Sequence, residues 1–161
     1  MRKVLSAIMA LTLTFPVLAA DYKLLEWEDL VPKDAPGPAA ATAAVEHTQA
    51  APAMQAQADA PVVGELDSRK VRLAGFAVPL EGDDDGITEF LLVPYMGACI
   101  HVPPPPSNQI VYVKAGTPLP VDYIYDAFWV EGTIKVGSVS SELAQAGYSL
   151  IPDSYEIYEY E

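Results

Sequence analysis

Cysteine is almost missing from this 161-residue chain: Cys99 is the only one. A single thiol excludes an intrachain disulfide framework and any zinc ribbon built on paired cysteines. Histidine is nearly as scarce, with only His47 and His101. Basic residues number 9 against 22 acidic ones, for a formal charge of −13. That balance argues against a nucleic-acid-binding surface, because phosphates need a basic face. No Gly-rich phosphate loop, Gly-x-Ser-x-Gly elbow or His-Glu-x-x-His motif occurs, and no serine sits in a recognisable nucleophile context. The sequence therefore carries no recognised catalytic motif and leans away from an enzyme. Beyond residue 20 no apolar run approaches the roughly 20 residues a membrane helix needs, so the mature chain is expected to carry no membrane span. What the chain does have is an apolar fraction of 51%. That is enough for a core and too much for global disorder.

Residues 1–20 read as a secretory signal peptide. Arg2 and Lys3 give a basic start, Val4 to Val17 is mostly apolar, and Val17-Leu18-Ala19-Ala20 supplies small residues before the charged Asp21. No cysteine follows the cleavage site, so a lipid anchor is not expected. Losing Arg2 and Lys3 takes the charge from −13 to −15. The expected destination is the periplasm, an oxidising compartment.

Three zones follow. In residues 21–32, Leu24, Trp27, Leu30 and Val31 fall at helical spacing before Pro32, which predicts a short segment docked on the domain through Trp27 and Leu30. Residues 33–61 hold 12 Ala and 4 Pro among 29 residues. They have few large side chains to offset chain entropy and read as a flexible linker. His47 in this tract reads as merely solvated.

Residues 62–161 form the folded domain. Strands are predicted at Val71–Leu80 with a bend or bulge at Gly75, Ile87–Tyr95, Gln109–Lys114, Phe128–Val136, and Tyr148–Tyr160 with a break at Pro152. Alternation in the fourth puts Phe128, Val130, Ile134 and Val136 on one face, with Gly132 a candidate bulge. Glu81–Gly86 reads as a turn and Ser140–Ala146 as one or two helical turns closed by Gly147. The expected fold is mostly all-β: a small five-stranded OB-like barrel with a short helix, with a β-sandwich as the alternative. Asp83-Asp84-Asp85 lacks the later carboxylates of a calcium loop and reads as a solvated hairpin tip. The aromatic-rich C-terminal half reads as core plus one exposed cluster, since oligonucleotide stacking sites sit in basic grooves.

The densest motif is Gly97-Ala98-Cys99-Ile100-His101-Val102-Pro103-Pro104-Pro105-Pro106-Ser107-Asn108-Gln109. In an extended segment Cys99 and His101, two positions apart, point the same way. Pro103, Pro104, Pro105 and Pro106 predict a polyproline II rod beside them. Asn108 and Gln109 are expected to clamp it through their amides. Thiolate and imidazole are preferred zinc ligands and also suit copper(I). Two ligands are short of four, and Glu89 is a candidate third across the hairpin. A second subunit offering the same pair is another route, giving a homodimer with a two-Cys, two-His site on a twofold axis. Two other readings stand beside this one. The loop can be a metal-free structural or protein-interaction element, using the proline rod or an aromatic surface. Cys99 activated by His101 can be a nucleophile, although it lacks a resolving thiol.

The same run is similar to the signature of an uncharacterised family of exported bacterial proteins, domain of unknown function 3299. Gly75-Phe76-Ala77-Val78-Pro79-Leu80, Glu89-Phe90-Leu91-Leu92-Val93-Pro94-Tyr95 and the Trp27, Leu30, Pro32 element match it as well. The resemblance covers most of the mature chain and skips the linker. It implies an exported protein, encoded in some bacteria near zinc-responsive transport systems. An envelope transport system is accordingly the partner it suggests. On these grounds the chain is expected to be a periplasmic accessory protein that binds or handles a transition metal, zinc first, through Cys99 and His101.

Overall fold

The computed structural model describes residues 21–35, 55, 57–99 and 102–159. The expected signal peptide, most of the expected linker with His47, and the pair Ile100–His101 lie outside the described residues. Among the described residues there are six strands: β1 Lys23–Leu25, β2 Lys70–Asp83, β3 Gly86–Val93, β4 Val111–Leu119, β5 Phe128–Ser140 and β6 Gln145–Ile157.

Strand β2 serves two neighbours. Its first half, Lys70 to Gly75, pairs antiparallel with β5, and its second half, Phe76 to Asp83, pairs antiparallel with β3. β3 pairs antiparallel with β4, β4 pairs in parallel with β6 through Val111–Val113, and β6 pairs antiparallel with β5. The order β2-β3-β4-β6-β5 returns to β2 and closes a five-stranded barrel, the OB-like arrangement expected from the sequence. Gly75 marks the handover between neighbours. A Cβ there would lie 2.8 Å from the Val93 carbonyl oxygen and 3.0 Å from the Trp27 ring, so the position is a close approach rather than a bulge. Register shifts fall instead at Pro79–Gly82, between Ile87 and Glu89, between Val136 and Val139 and, as expected, at Gly132.

Alternation decides what faces inward. Val71 and Leu73 of β2, Phe90 and Leu92 of β3, Val111 and Val113 of β4, Phe128, Val130 and Ile134 of β5, and Tyr148 and Leu150 of β6 fill the barrel. Val136 packs partly against them. Phe90, Phe128, Tyr123 and Tyr155 meet mostly edge to face at 5.6–6.4 Å between ring centres, the preferred aromatic geometry.

Three local expectations need correction. Ser140–Ala146 is not helical: β5 runs through Ser140, β6 starts at Gln145, and the Ser141 hydroxyl ties the turn by donating to the Ala144 carbonyl at 2.8 Å. A helix of this length cannot repay its nucleation, whereas the hairpin pairs Val139 with Ala146. The short helices among the described residues are 3-10 turns. Likewise the N-terminal segment is a strand, β1, followed by one 3-10 turn at Trp27–Leu30. β1 lies parallel on Val71–Leu73 and takes the edge of β2 that β3 leaves free beyond Phe76. Finally, β6 continues past Pro152, which stands opposite Gly132 at the bulge, where a missing N–H does least harm.

Candidate functional site: the Cys99 loop

Outward positions of β2 and β3, with Ile110 just before β4, form a second apolar layer of Val78, Leu91, Val93 and Ile110. In OB barrels the face of the second and third strands, flanked by two hairpin tips, is where ligands bind. The equivalent face here is β3–β4, and the protein covers it itself. Ala98 from the β3–β4 loop and Ala144 and Ala146 from the β5–β6 hairpin pack onto it, with Cys99 at the margin.

The loop turns sharply at its apex. Gly97 has φ +82° and Cys99 has φ +66°, a left-handed conformation that costs a non-glycine residue about 1–2 kcal/mol. Ala98, fully buried between them, bridges to Val102. Cys99 is half-buried, and burial pushes its thiol up to about 11. Burial thus favours its neutral form at pH 7. The Tyr95 phenol is also raised, by burial first and then by the neighbouring thiol.

Glu89 projects from the same outer face into a cleft of about 220 Å³ lined by Leu80, Glu81, Tyr112 and Ser140–Glu142. Its two oxygens are already engaged: the Tyr112 hydroxyl donates to one, and the Lys114 ammonium lies 2.5 Å from the other. The Lys114 contact first, then the Tyr112 hydrogen bond, hold its carboxyl below the usual range. Burial and the Glu89 hydrogen bond push Tyr112 up to about 12. Glu89 thus sits in a polar cluster of its own, whereas Cys99 packs in the apolar layer. The expected convergence of Cys99 with His101 falls outside the described residues.

The prolines behave as a brace. Pro105 is buried, and Pro106 has φ −52° and ψ 149°, close to polyproline II geometry. Asn108 and Gln109 reach away from the prolines, because a 3-10 turn at Ser107–Gln109 redirects them. The Asn108 amide donates to the Pro61 carbonyl at 2.8 Å and the Gln109 amide to the Trp27 carbonyl at 2.7 Å. Buried Ser107 accepts from the Ala60 N–H at its hydroxyl, while its own N–H donates to the Gln57 carbonyl.

Gln55 was invisible in the sequence as a contributor, lying inside a low-complexity tract. Its amide nitrogen donates to the Pro105 and Gln145 carbonyls at 2.8 and 2.9 Å, and its oxygen accepts from the Gln145 N–H at 2.9 Å. One side chain therefore joins the proline loop to the start of β6.

A family profile described as Protein of unknown function (DUF3299) matches residues 27–157. The chain belongs to this family. A solved structure of a DUF3299 family protein from Pseudomonas aeruginosa PAO1 is similar at 48% identity, with a TM-score of 0.81 over 88% of this chain and 99% of that one. No curated protein matches it significantly. Membership of the DUF3299 family fits the motif-level resemblance. Among the described residues, no helix is long and apolar enough to cross a membrane.

Proposed function

We propose that this member of the DUF3299 family is an exported, periplasmic accessory protein that holds a protein partner on the loop between β3 and β4 and catalyses no reaction. One observation carries this reading. Tyr95, Met96 and Val102 are 42%, 61% and 45% exposed on a loop whose underside is fixed in the second apolar layer. Large apolar side chains presented together by a braced loop favour a protein contact. The neutral Cys99 thiol supports a binding role over nucleophilic chemistry. The signal-peptide pattern of residues 1–20 supports export. The test is a photo-crosslinking side chain placed at position 96 in cells of the source bacterium. A discrete adduct that disappears with Tyr95→Ser supports the reading, and no discrete adduct refutes it. Cell fractionation with N-terminal sequencing checks export, the expected start being Ala20 or Asp21.

A second reading is zinc binding by Cys99 and His101. It is favoured by a thiol that is half-buried rather than sealed, two positions before the imidazole. With both Glu89 oxygens engaged, the same pair from a second subunit completes the four ligands better than Glu89 does. Zinc equilibration under reducing conditions should then give one metal per two chains. Cys99→Ser and His101→Ala should each abolish it. Unchanged monomer with no retained zinc overturns this reading.

A further inference from the structure

The N-terminal segment 21–35 is held to the barrel by contacts of the kind that join separate chains. β1 fills the open edge of β2 through Lys23, Leu24 and Leu25, in parallel with Val71, Arg72 and Leu73. Leu25 and Leu30 are 1% and 0% exposed, inside the main core. The Trp27 indole N–H donates to the Ala74 carbonyl at 2.8 Å, and the Gln109 amide donates to the Trp27 carbonyl. The Tyr148 hydroxyl closes the far end, donating to the Leu30 carbonyl and accepting from the Val63 N–H, both at 2.7 Å. All of these barrel features await a strand followed by a turn, and an unfilled strand edge is a template for pairing with another chain.

Nineteen residues separate Ala35 from Gln55 in the sequence. Extended chain covers up to roughly 3.3–3.6 Å per residue, so this connection is long enough to reach a neighbouring molecule. Every contact that seats the segment in its own barrel is available, unchanged, in the barrel of a second copy. We propose that the strap-shaped segment 21–35 is an exchangeable element and that the groove along β2 is a self-association surface. Its partner is a second copy of this chain, which donates the same segment. No new interface has to be built, so the balance is set by linker-tethered effective concentration against protein concentration. For a tether of about this length the former is on the order of millimolar. The dilute chain is therefore monomeric, and the concentrated chain passes to a reciprocal dimer. This inference is independent of the proposed partner loop and of the zinc reading.

The test uses the mature chain with Cys99→Ser, Leu24→Cys and Arg72→Cys, since Leu24 and Arg72 are register partners across β1 and β2. The chain is unfolded, refolded under oxidising conditions at 10 µM and at 1 mM, and run on a non-reducing gel. Docking in the same chain gives a cross-linked monomer, and exchange gives a covalent dimer. By mass action the dimer-to-monomer ratio should rise about a hundredfold between the two concentrations. Single-cysteine variants measure the dimer formed by chance oxidation of exposed thiols, and the double variant should exceed them at 1 mM. A cross-linked monomer at both concentrations overturns the proposal. The unaltered mature chain provides a check free of substitutions. Refolded and sedimented at 1 mM, it should run in part as a dimer that dissociates on dilution to 10 µM. Sedimentation wholly as monomer refutes exchange.

Discussion

Cys99 shows how one residue's environment reverses what its neighbours in sequence suggest. Beside a histidine a thiol invites a lowered pKa, yet burial against the second apolar layer raises it to about 11. Alkylation of Cys99 by iodoacetamide should therefore be slow at pH 7 and accelerate as the pH approaches 11, and a rate-against-pH profile checks this. A rate that saturates near pH 7 would restore the nucleophile. Tyr148 is a second single-residue test. Its hydroxyl gives and takes a hydrogen bond that together join residues 30 and 63 to the barrel. Tyr148→Phe leaves the Leu30 carbonyl and Val63 N–H without that partner and should cost about 1–3 kcal/mol in urea unfolding, at an unchanged denaturant slope. Neither role was legible beforehand. A tyrosine in an alternating strand reads as core, and nothing in the sequence says where its hydroxyl ends.

At the scale of elements, the N-terminal segment and the tract after it behave differently. Leu30→Ala removes a fully buried side chain from the main core and should destabilise by about 2–5 kcal/mol in chemical denaturation. Deleting residues 39–50 should change stability by no more than about 1 kcal/mol, because loop-length terms are small. Extending the deletion through Ala58 should cost more, because it removes Gln55 and the Gln57 carbonyl that holds Ser107. Comparing the two deletions by thermal melting separates tether from brace. The sequence marked Trp27 and Leu30 as docking residues, because two large apolar side chains near a proline have little else to do. It misjudged their secondary structure. Helical spacing over eight residues is also what a strand followed by one 3-10 turn produces, and the open edge of β2 made the strand cheaper. The same competition turned the expected helix at Ser140–Ala146 into a hairpin.

For the molecule as a whole, its titrating groups set a window of stability. Glu89, Glu131 and Asp67 have carboxyls held below their usual range, by Lys114, by Arg72 and by the Val136 N–H respectively. A depressed carboxyl stabilises the fold above its unfolded pKa, and that contribution is lost as the pH falls through the folded value. Cys99, Tyr112 and Tyr155 are raised by burial, to about 11, 12 and 12. The unfolded chain releases those protons first, so stability falls as the pH climbs from about 9 towards 12. Calorimetry should show a melting-temperature plateau from about pH 5 to pH 9, with losses on both sides. A continuous rise through pH 10 would contradict the assigned burial. The sequence by itself determined the all-β class, the inward face of Phe128, Val130 and Ile134 and the bulge at Gly132. Each of these rests on alternation or on glycine, which act locally. Only the tertiary structure decided that β2 is shared between two neighbours, that Glu89 is engaged by Tyr112 and Lys114, and that Gln55 braces the loop. It also decided that the β3–β4 face is covered by the chain's own residues. Those outcomes depend on which distant segments meet when the barrel closes, and no local pattern encodes that.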